Sequence, residues 1–360
     1  MSREHLPLWT LLSPIVGWLL LAASSVVIHP LFLLVLGAAL VACVLAAVHH
    51  AEVVAHRIGE PFGTLVLALA VTVIEVALIV SMMLAGGEDT AALARDTIFA
   101  AIMIILNGMV GLCLLVGGSR HGEQAFGQYG VNAALATLAT MATITLVLPN
   151  ATTTLAGPVY SASQLLPIAA ASLVLYAAFV LVQTVRHRDY FLPHGHAAQN
   201  AETHAAPPST RVTVLSAVML VACLGAVVLL AKGLAPTIEA AVDAAGAPKA
   251  VVGIIIAAIV LLPESLAALK AARSNRLQTS MNLSLGSALA SIGLTIPTVS
   301  LVALAAGWTL VLGLDLKGMM LLALTLLVST LSLGTGRTTI LQGAVHLVIF
   351  AVYLLTTVVP

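Results

Sequence analysis

Apolar runs of about twenty residues recur along the whole chain, and about twenty residues is what an α-helix needs to cross the hydrocarbon core of a bilayer. They fall near 8–28, 31–48, 62–84, 97–117, 131–148, 164–184, 213–231, 251–270, 280–303, 317–333 and 339–358, eleven in all. Backbone inside hydrocarbon must satisfy its own hydrogen bonds, so segments of this kind cross as helices. Only 8% of the residues are charged and 61% are hydrophobic, against about 25% charged in soluble domains. A soluble chain this apolar could not cover its surface. The expected class is therefore an all-α polytopic membrane protein with about 11 transmembrane helices. The first run, Leu8 to Ile28, is too long for the apolar core of a signal peptide and lacks an obvious cleavage site, so it reads as a retained helix. His29-Pro30 predicts a tight hairpin after it. The stretch 280–333 is the least clearly divided, punctuated only by Gly307, Trp308, Asp315 and Lys317.

Eleven spans distribute the positive charge unevenly. Loops on the N-terminal side hold Arg3, Arg57, Arg120, Arg186, Arg188, Arg211, Lys270, Arg273, Arg276 and Arg337; the other side holds Arg95, Lys232, Lys249 and Lys317. The positive-inside rule then places the N-terminus in the cytoplasm and the C-terminus outside. Residues 185–212 form the one long polar stretch, with His187, Asp189, His194, His196, Glu202, His204 and a Pro-Pro pair, and read as a cytoplasmic His-rich linker. If residues 1–30 are set aside as an extra N-terminal helix, five spans precede the linker (31–184) and five follow it (213–360). An odd number of spans per half makes the halves antiparallel in the membrane, the plan of inverted repeats. Net charge is zero, which gives no reason to expect a nucleic-acid partner. Cys43, Cys113 and Cys223 all lie in apolar runs and read as small core residues.

Of 14 acidic residues, only Glu75 and Glu264 lie well inside spans, and no Lys or Arg lies deep in any span. The two are 189 residues apart and occupy comparable places in the third and eighth spans. An ionised carboxylate in hydrocarbon costs several kcal/mol even after relaxation. Each glutamate is therefore expected to carry a proton or to hold a cation, and those two states are the ends of an exchange cycle. Thr72 lies one turn before Glu75. Pro263 precedes Glu264 and removes a backbone donor, freeing a carbonyl one turn earlier; Ser265 follows it. Freed carbonyls and carboxylates are the hard oxygen ligands that suit Ca²⁺, Na⁺ or K⁺. The fourth span carries Asn107-Gly108. The ninth carries Asn282, Gly286, Ser287, Ser291, Gly293, Thr295 and Pro297, where Gly286, like Pro263, is expected to interrupt the helix. Some of these small residues serve close packing alone. The expected cation- and proton-binding set is Glu75, Glu264, Thr72, Asn107, Ser265 and Ser291, with the two glutamates as direct ligands of the transported metal ion. Glu52 is a candidate gate or proton relay. His49, Glu52 and His56 share a helix face, which reads as a solvated helix end rather than a metal sensor, and His346 reads as a hydrogen-bonded core histidine.

At these residues the chain resembles the calcium/cation antiporter superfamily, within it the proton-coupled exchangers, and there the bacterial Cha-type branch, which exchanges Ca²⁺, Na⁺ or K⁺ for H⁺. The stretch HHAEVVAHRIGEPFGTLVLALAVTVIEVALIVS is similar to the family's first α-repeat, with Glu52, Gly59, Pro61 and Glu75 in pattern. Asn107 matches the Asn that closes the family's Gly-Ser-x-x-x-Asn segment. Glu264 matches the repeated Glu, and MNLSLGSALASIGLTIP resembles the family's Met-Asp-Leu-Ala-Leu-Gly segment with Gly286 and Ser291 in register. The family's Gly-Asn pair reads Val71-Thr72 in the first repeat and Val260-Leu261 in the second, and the His that often follows the second Glu is Ser265. The carboxylates are kept while several neutral ligands are not, which suits a less demanding or partly hydrated ion. The resemblance implies a secondary antiporter of the bacterial inner membrane, working on inorganic cations and protons by alternating access, with no resident cofactor. The same sequence is compatible with a monomer or a homo-oligomer.

Two other classes compete with this reading. A cation channel could line its pore with the same acids, although inverted halves favour alternating access. A membrane-embedded enzyme lacks support: there is no paired Asp motif, Ser/His dyad or His-Glu-x-x-His in a span. The charge pattern makes a direct prediction. A reporter active only outside the cytoplasm should be active when fused after Val358 and silent when inserted in the 185–212 linker; the reverse pattern would invert the topology.

Overall fold

The structure, a computed structural model, describes residues 6–24, 30–59, 62–86, 90–192 and 208–359, with backbone only at residues 30, 62–68 and 85–86. Its helices are α1 (Leu8–Ala23), α2 (Pro30–Ile58), α3 (Phe62–Gly86), α4 (Leu93–Met103), α5 (Val110–His121), α6 (Gln128–Ala142), α7 (Ala162–Leu181), α8 (Thr210–Ala244), α9 (Ala250–Arg273), α10 (Leu277–Ala290), α11 (Ile296–Ala306), α12 (Leu316–Leu333) and α13 (Ile340–Val358). Two of these pairs are single spans. A π-helical turn, Ile104–Met109, joins α4 to α5, and another, Ser291–Thr295, joins α10 to α11. Nine described helices are long and apolar enough to cross a membrane, and shorter apolar helices cover Leu8–Ala23 and Leu69–Leu84. The result is an all-α polytopic fold of about eleven spans, one N-terminal helix followed by two five-span repeats of opposite sense. The hairpin expected at His29-Pro30 and most of the His-rich linker lie outside the described residues.

Several helices outrun the apolar stretches that mark them. α2 continues through His49, Glu52 and His56 to Ile58 and stops at Gly59, whose φ of 78° suits glycine. α8 has 35 residues, or about 50 Å of helix, so Lys232 sits on a helix rather than in a loop. Neither Pro263 nor Gly286 interrupts its helix: α9 runs unbroken from Ala250 to Arg273 and α10 from Leu277 to Ala290. The irregular backbone in the ninth span falls one turn later, at Ser291–Thr295. In the poorly divided stretch after α11, residues 308–315 form an extended segment tied to loops of the first half. Gly313 N donates to Pro158 O (3.0 Å) and Leu314 N to Leu146 O (2.8 Å), while Asp315 caps α12 through Gly318 N (2.7 Å).

The chain packs as two compact units, Met1–Gly87 with Ala205–Gly246 and Glu88–His204 with Ala247–Pro360. Each draws on both sides of the linker. Units of packing are not units of repeat, so this grouping does not bear on the sequence boundaries 31–184 and 213–360.

In the first unit, α1 lies across α2 and α8. Trp18 Nε1 donates to Ala222 O (3.1 Å), and His50 Nε2 lies 3.1 Å from Thr10 O. Arg57 Nη1 donates to Pro208 O (3.2 Å), tying the end of α2 to the start of α8.

In the second unit, α13 packs on α5 and α9 on α4. A two-residue ladder pairs Gln124 with Thr338 and Ala125 with Arg337, joining the loop after α5 to the loop before α13. The α5/α13 contact depends on glycine. A Cβ on Gly343 would come to 2.8 Å of Gly111 O and closer still to Leu115 N, and a Cβ on Gly111 to 3.0 Å of His346 Cβ. Small residues let membrane helices approach at backbone distance. Gly343→Leu is expected to destabilise the purified protein by about 1–3 kcal/mol, read as a lowered unfolding midpoint in detergent.

Candidate functional site

Glu75 and Glu264 belong to different units, and each has its own local setting. In the first, Glu75 is buried on α3 (3% exposed), with Thr72 (4%) one turn earlier on the same face. Val71, Ile74, Leu78 and Ile79 complete that buried face, whereas Leu69 and Val73 are exposed. α3 thus turns its acid inward and its apolar side outward, the arrangement expected of an acidic residue in a spanning helix. Glu52, on the extension of α2, is exposed. His49 makes a ring contact with Trp9 (6.0 Å). Among the described residues no three His, Cys, Asp or Glu side chains are grouped closely enough to hold a metal ion, so the metal-sensing alternative for His49, Glu52 and His56 gains nothing.

In the second unit, Glu264 is partly buried on α9 directly after the buried Pro263. Pro263 has no N–H to give, so the carbonyl of Ile259 loses its helical partner. The Ser287 hydroxyl of α10 donates to Glu264 Oε2, a charge-assisted hydrogen bond when the carboxyl is ionised. Ser265 turns its hydroxyl back to Leu261 O (2.7 Å) and leaves only oxygen lone pairs for another group. Gly286 lines a small groove with Phe191, Met281 and Asn282.

Asn107 and Ser291 both sit within π-helical turns, at corresponding places in the two repeats. A π turn inserts a residue into the helical ladder and is often found at functional sites. Both residues are buried (0% and 2% exposed). The two spans touch: Ser284 Oγ on α10 lies 3.1 Å from Met109 Sδ, the last residue of the other π turn. Asn107 Nδ2 donates to Thr325 Oγ1 (2.9 Å), and its Oδ1 lies 3.2 Å from His346 Nδ1. His346 is thus the hydrogen-bonded core histidine expected.

The second unit therefore gathers Glu264, Ser265, Ser287, Ser291 and Asn107 on α9 and the two π-bearing spans, and the first holds Glu75 with Thr72. No described Lys or Arg side chain is fully buried; Arg95 and Lys317 come closest, near the starts of α4 and α12. In the sequence Ser287 is one of several hydroxyls in its span. Its place seven residues after Ser280 and four before Ser291, on one helix face, is the signal that marks it. The π turns left no sequence signature beyond the small and polar pairs Asn107-Gly108 and Ser291-Ile292-Gly293.

The chain matches known proteins along most of its length. The family model described as "Sodium/calcium exchanger protein" matches residues 28–185 and again 215–359. The chain is 50% identical over 360 residues (99% of this chain, 97% of the other) to a Sinorhizobium fredii protein named as a candidate ionic transporter. It is 39% identical over 312 residues, covering 86% of this chain and 84% of the other, to the sodium-potassium/proton antiporter ChaA of Escherichia coli. Among solved structures, native YfkE superposes with a TM-score of 0.75 at 18% identity, covering 98% of this chain and 100% of that one. The H⁺/Ca²⁺ exchanger CAX gives 0.70 at 16% identity, covering 95% and 86%. At these identities the structural matches speak for the fold.

The Ser287–Glu264 hydrogen bond has a spectroscopic consequence. In infrared spectra, Ser287→Ala should move the C=O band of the protonated Glu264 carboxyl to higher wavenumber, the band being assigned by its loss in Glu264→Gln. An unmoved band would deny the contact.

Proposed function

Because the chain belongs to the sodium/calcium exchanger family, we propose that it is a secondary antiporter that exchanges Ca²⁺, Na⁺ or K⁺ for protons. The observation that carries this reading is a carboxyl at the same place in each of two repeats, buried at Glu75 and partly buried at Glu264, on helices with few other charges. A carboxyl in such a place has two low-energy states, protonated or holding a cation. Competition between these states at Glu75 and Glu264 makes occupancy by a cation and by protons mutually exclusive, which is the minimum an exchanger requires. Thr72, Ser265, Ser291 and Asn107 supply neutral oxygens of the hard kind that these cations accept. Ser287 holds Glu264 in place as its charge changes.

Alternating access between the two loaded states delivers cation outward and protons inward. The cation is cargo, and the reading requires no resident cofactor. The N-terminus lies in the cytoplasm of a bacterial inner membrane and the C-terminus outside, following the ten-to-four distribution of Lys and Arg. The E. coli relative, named for sodium, potassium and protons, and the reduced set of neutral ligands at Val71-Thr72 and Val260-Leu261 both favour monovalent ions as substrates. Glu52, exposed on the α2 extension, is placed to meet protons or cations on the cytoplasmic side.

The test uses everted vesicles holding an inward-acid pH gradient. Added Na⁺, K⁺ or Ca²⁺ should collapse the gradient, and Glu75→Gln and Glu264→Gln should each reduce the collapse to that of vesicles without the protein. Retained exchange in both variants overturns the site. Cation flux that follows voltage without proton movement identifies a channel.

A further inference from the structure

The polar chain around Asn107 runs in one direction. The Asn107 side-chain oxygen and the Leu106 backbone carbonyl both meet the His346 ring and can only accept; with Asn107 Oδ1 3.2 Å from Nδ1, the ring proton sits on Nδ1. Nε2 of the neutral ring is then an acceptor, and the Ser332 hydroxyl meets it at 2.8 Å. On the other side, Asn107 Nδ2 donates to Thr325 Oγ1, and Thr325 turns its own proton toward Met103 Sδ (3.4 Å). Each group donates onward from Ser332 to His346, Asn107, Thr325 and Met103. Asn107, Thr325 and His346 are fully buried, and Ser332 is 7% exposed. Ser332 and Thr325 come from α12, His346 from α13 and Asn107 from the π turn of the fourth span. The bare backbone of Gly111 admits His346 to this position.

A buried asparagine amide can turn over and exchange its oxygen for its NH₂ at almost no cost in volume, so its partners decide which end faces which way. Here both ends are assigned. The NH₂ end is occupied by Thr325 and by Met103 Sδ (3.7 Å). His346 engages one of the two lone pairs of Oδ1, and the other remains for a further positive group.

We infer that His346 is a positioning residue for ion exchange: by donating to Asn107 Oδ1 it locks the amide so that its oxygen, and not its NH₂, is available to the transported cation. The inference rests on the proposed role of Asn107 as a neutral ligand. It makes His346 an outer-layer partner of the site, and losing such a partner typically costs about 10–100-fold in metal affinity.

The experiment measures cation-driven collapse of the pH gradient in everted vesicles, using Na⁺, K⁺ and Ca²⁺ in turn, with KM and maximal rate separated. His346→Leu removes the donor, whereas His346→Asn restores an N–H close to the place of Nδ1. His346→Leu should raise KM about ten-fold or more with a much smaller change in maximal rate, and His346→Asn should recover most of the loss. Thr325→Val frees the other end of the amide and carries the same expectation, which keeps the test available if His346→Leu does not reach the membrane. Unchanged KM in the Leu or Val variant, or an Asn variant as impaired as the Leu variant, overturns the inference. Glu264→Gln run alongside separates the two readings. If it abolishes exchange while KM in His346→Leu is unchanged, only the positioning role fails; if it exchanges normally, the site itself fails.

Discussion

Hydrocarbon offers no hydrogen-bond partner, and the rest of this structure follows from that. Backbone groups pair within helices because nothing else is available to them. Hydroxyls in the spans obey the same constraint by folding back on the carbonyl one turn earlier: Thr137 to Ala133, Thr145 to Met141, Ser265 to Leu261, Ser284 to Ser280. A polar side chain treated in this way is neutralised locally and needs no partner on another helix. The informative groups are those whose bonds reach across to a different helix, because they are held in place by the tertiary structure and hold it in return.

Among such groups in the second unit, two bear on the site. One is Glu264, held from α10 by Ser287. The other is Asn107, held from α12 and α13. Both lie beside backbone that departs from a regular ladder, at Pro263 and at the π turns Ile104–Met109 and Ser291–Thr295. A proline or a π turn leaves carbonyl oxygens without their usual N–H partner, and inside a membrane such oxygens are tolerated only where something else can meet them. Irregular backbone and transverse side-chain bonds therefore coincide for a physical reason. In the first unit the buried face of α3 carries Thr72 and Glu75 along one stripe, one turn apart.

Much of the fold was legible because its strongest determinant is local. The eleven apolar runs correspond to the observed spans, since length and hydrophobicity decide what crosses a bilayer regardless of which helix packs beside which. The ends were less legible. α2 continues past residue 48 and α8 past residue 231, because a helix that has left the apolar layer is still stabilised by packing on its neighbours, and polarity alone does not end it. Pro263 and Gly286, residues that favour a break, are accommodated within continuous helices. A long helix packed on both sides absorbs one missing hydrogen bond. The extended segment 308–315 was illegible because its hydrogen bonds go to loops near Leu146 and Pro158.

From the chain alone came the membrane as solvent, the number of crossings, the doubling of the plan, and the choice of Glu75, Glu264, Asn107 and Ser291 as residues out of keeping with their surroundings. Each of these depends on composition within a window, or on comparing one window with another. Partnership was decided only by packing. Ser287 meets Glu264 from 23 residues away, and His346 meets Asn107 from 239. A hydrogen bond is fixed by distances of about 3 Å, and the sequence holds no measure of that scale between residues on different helices until the helices have packed.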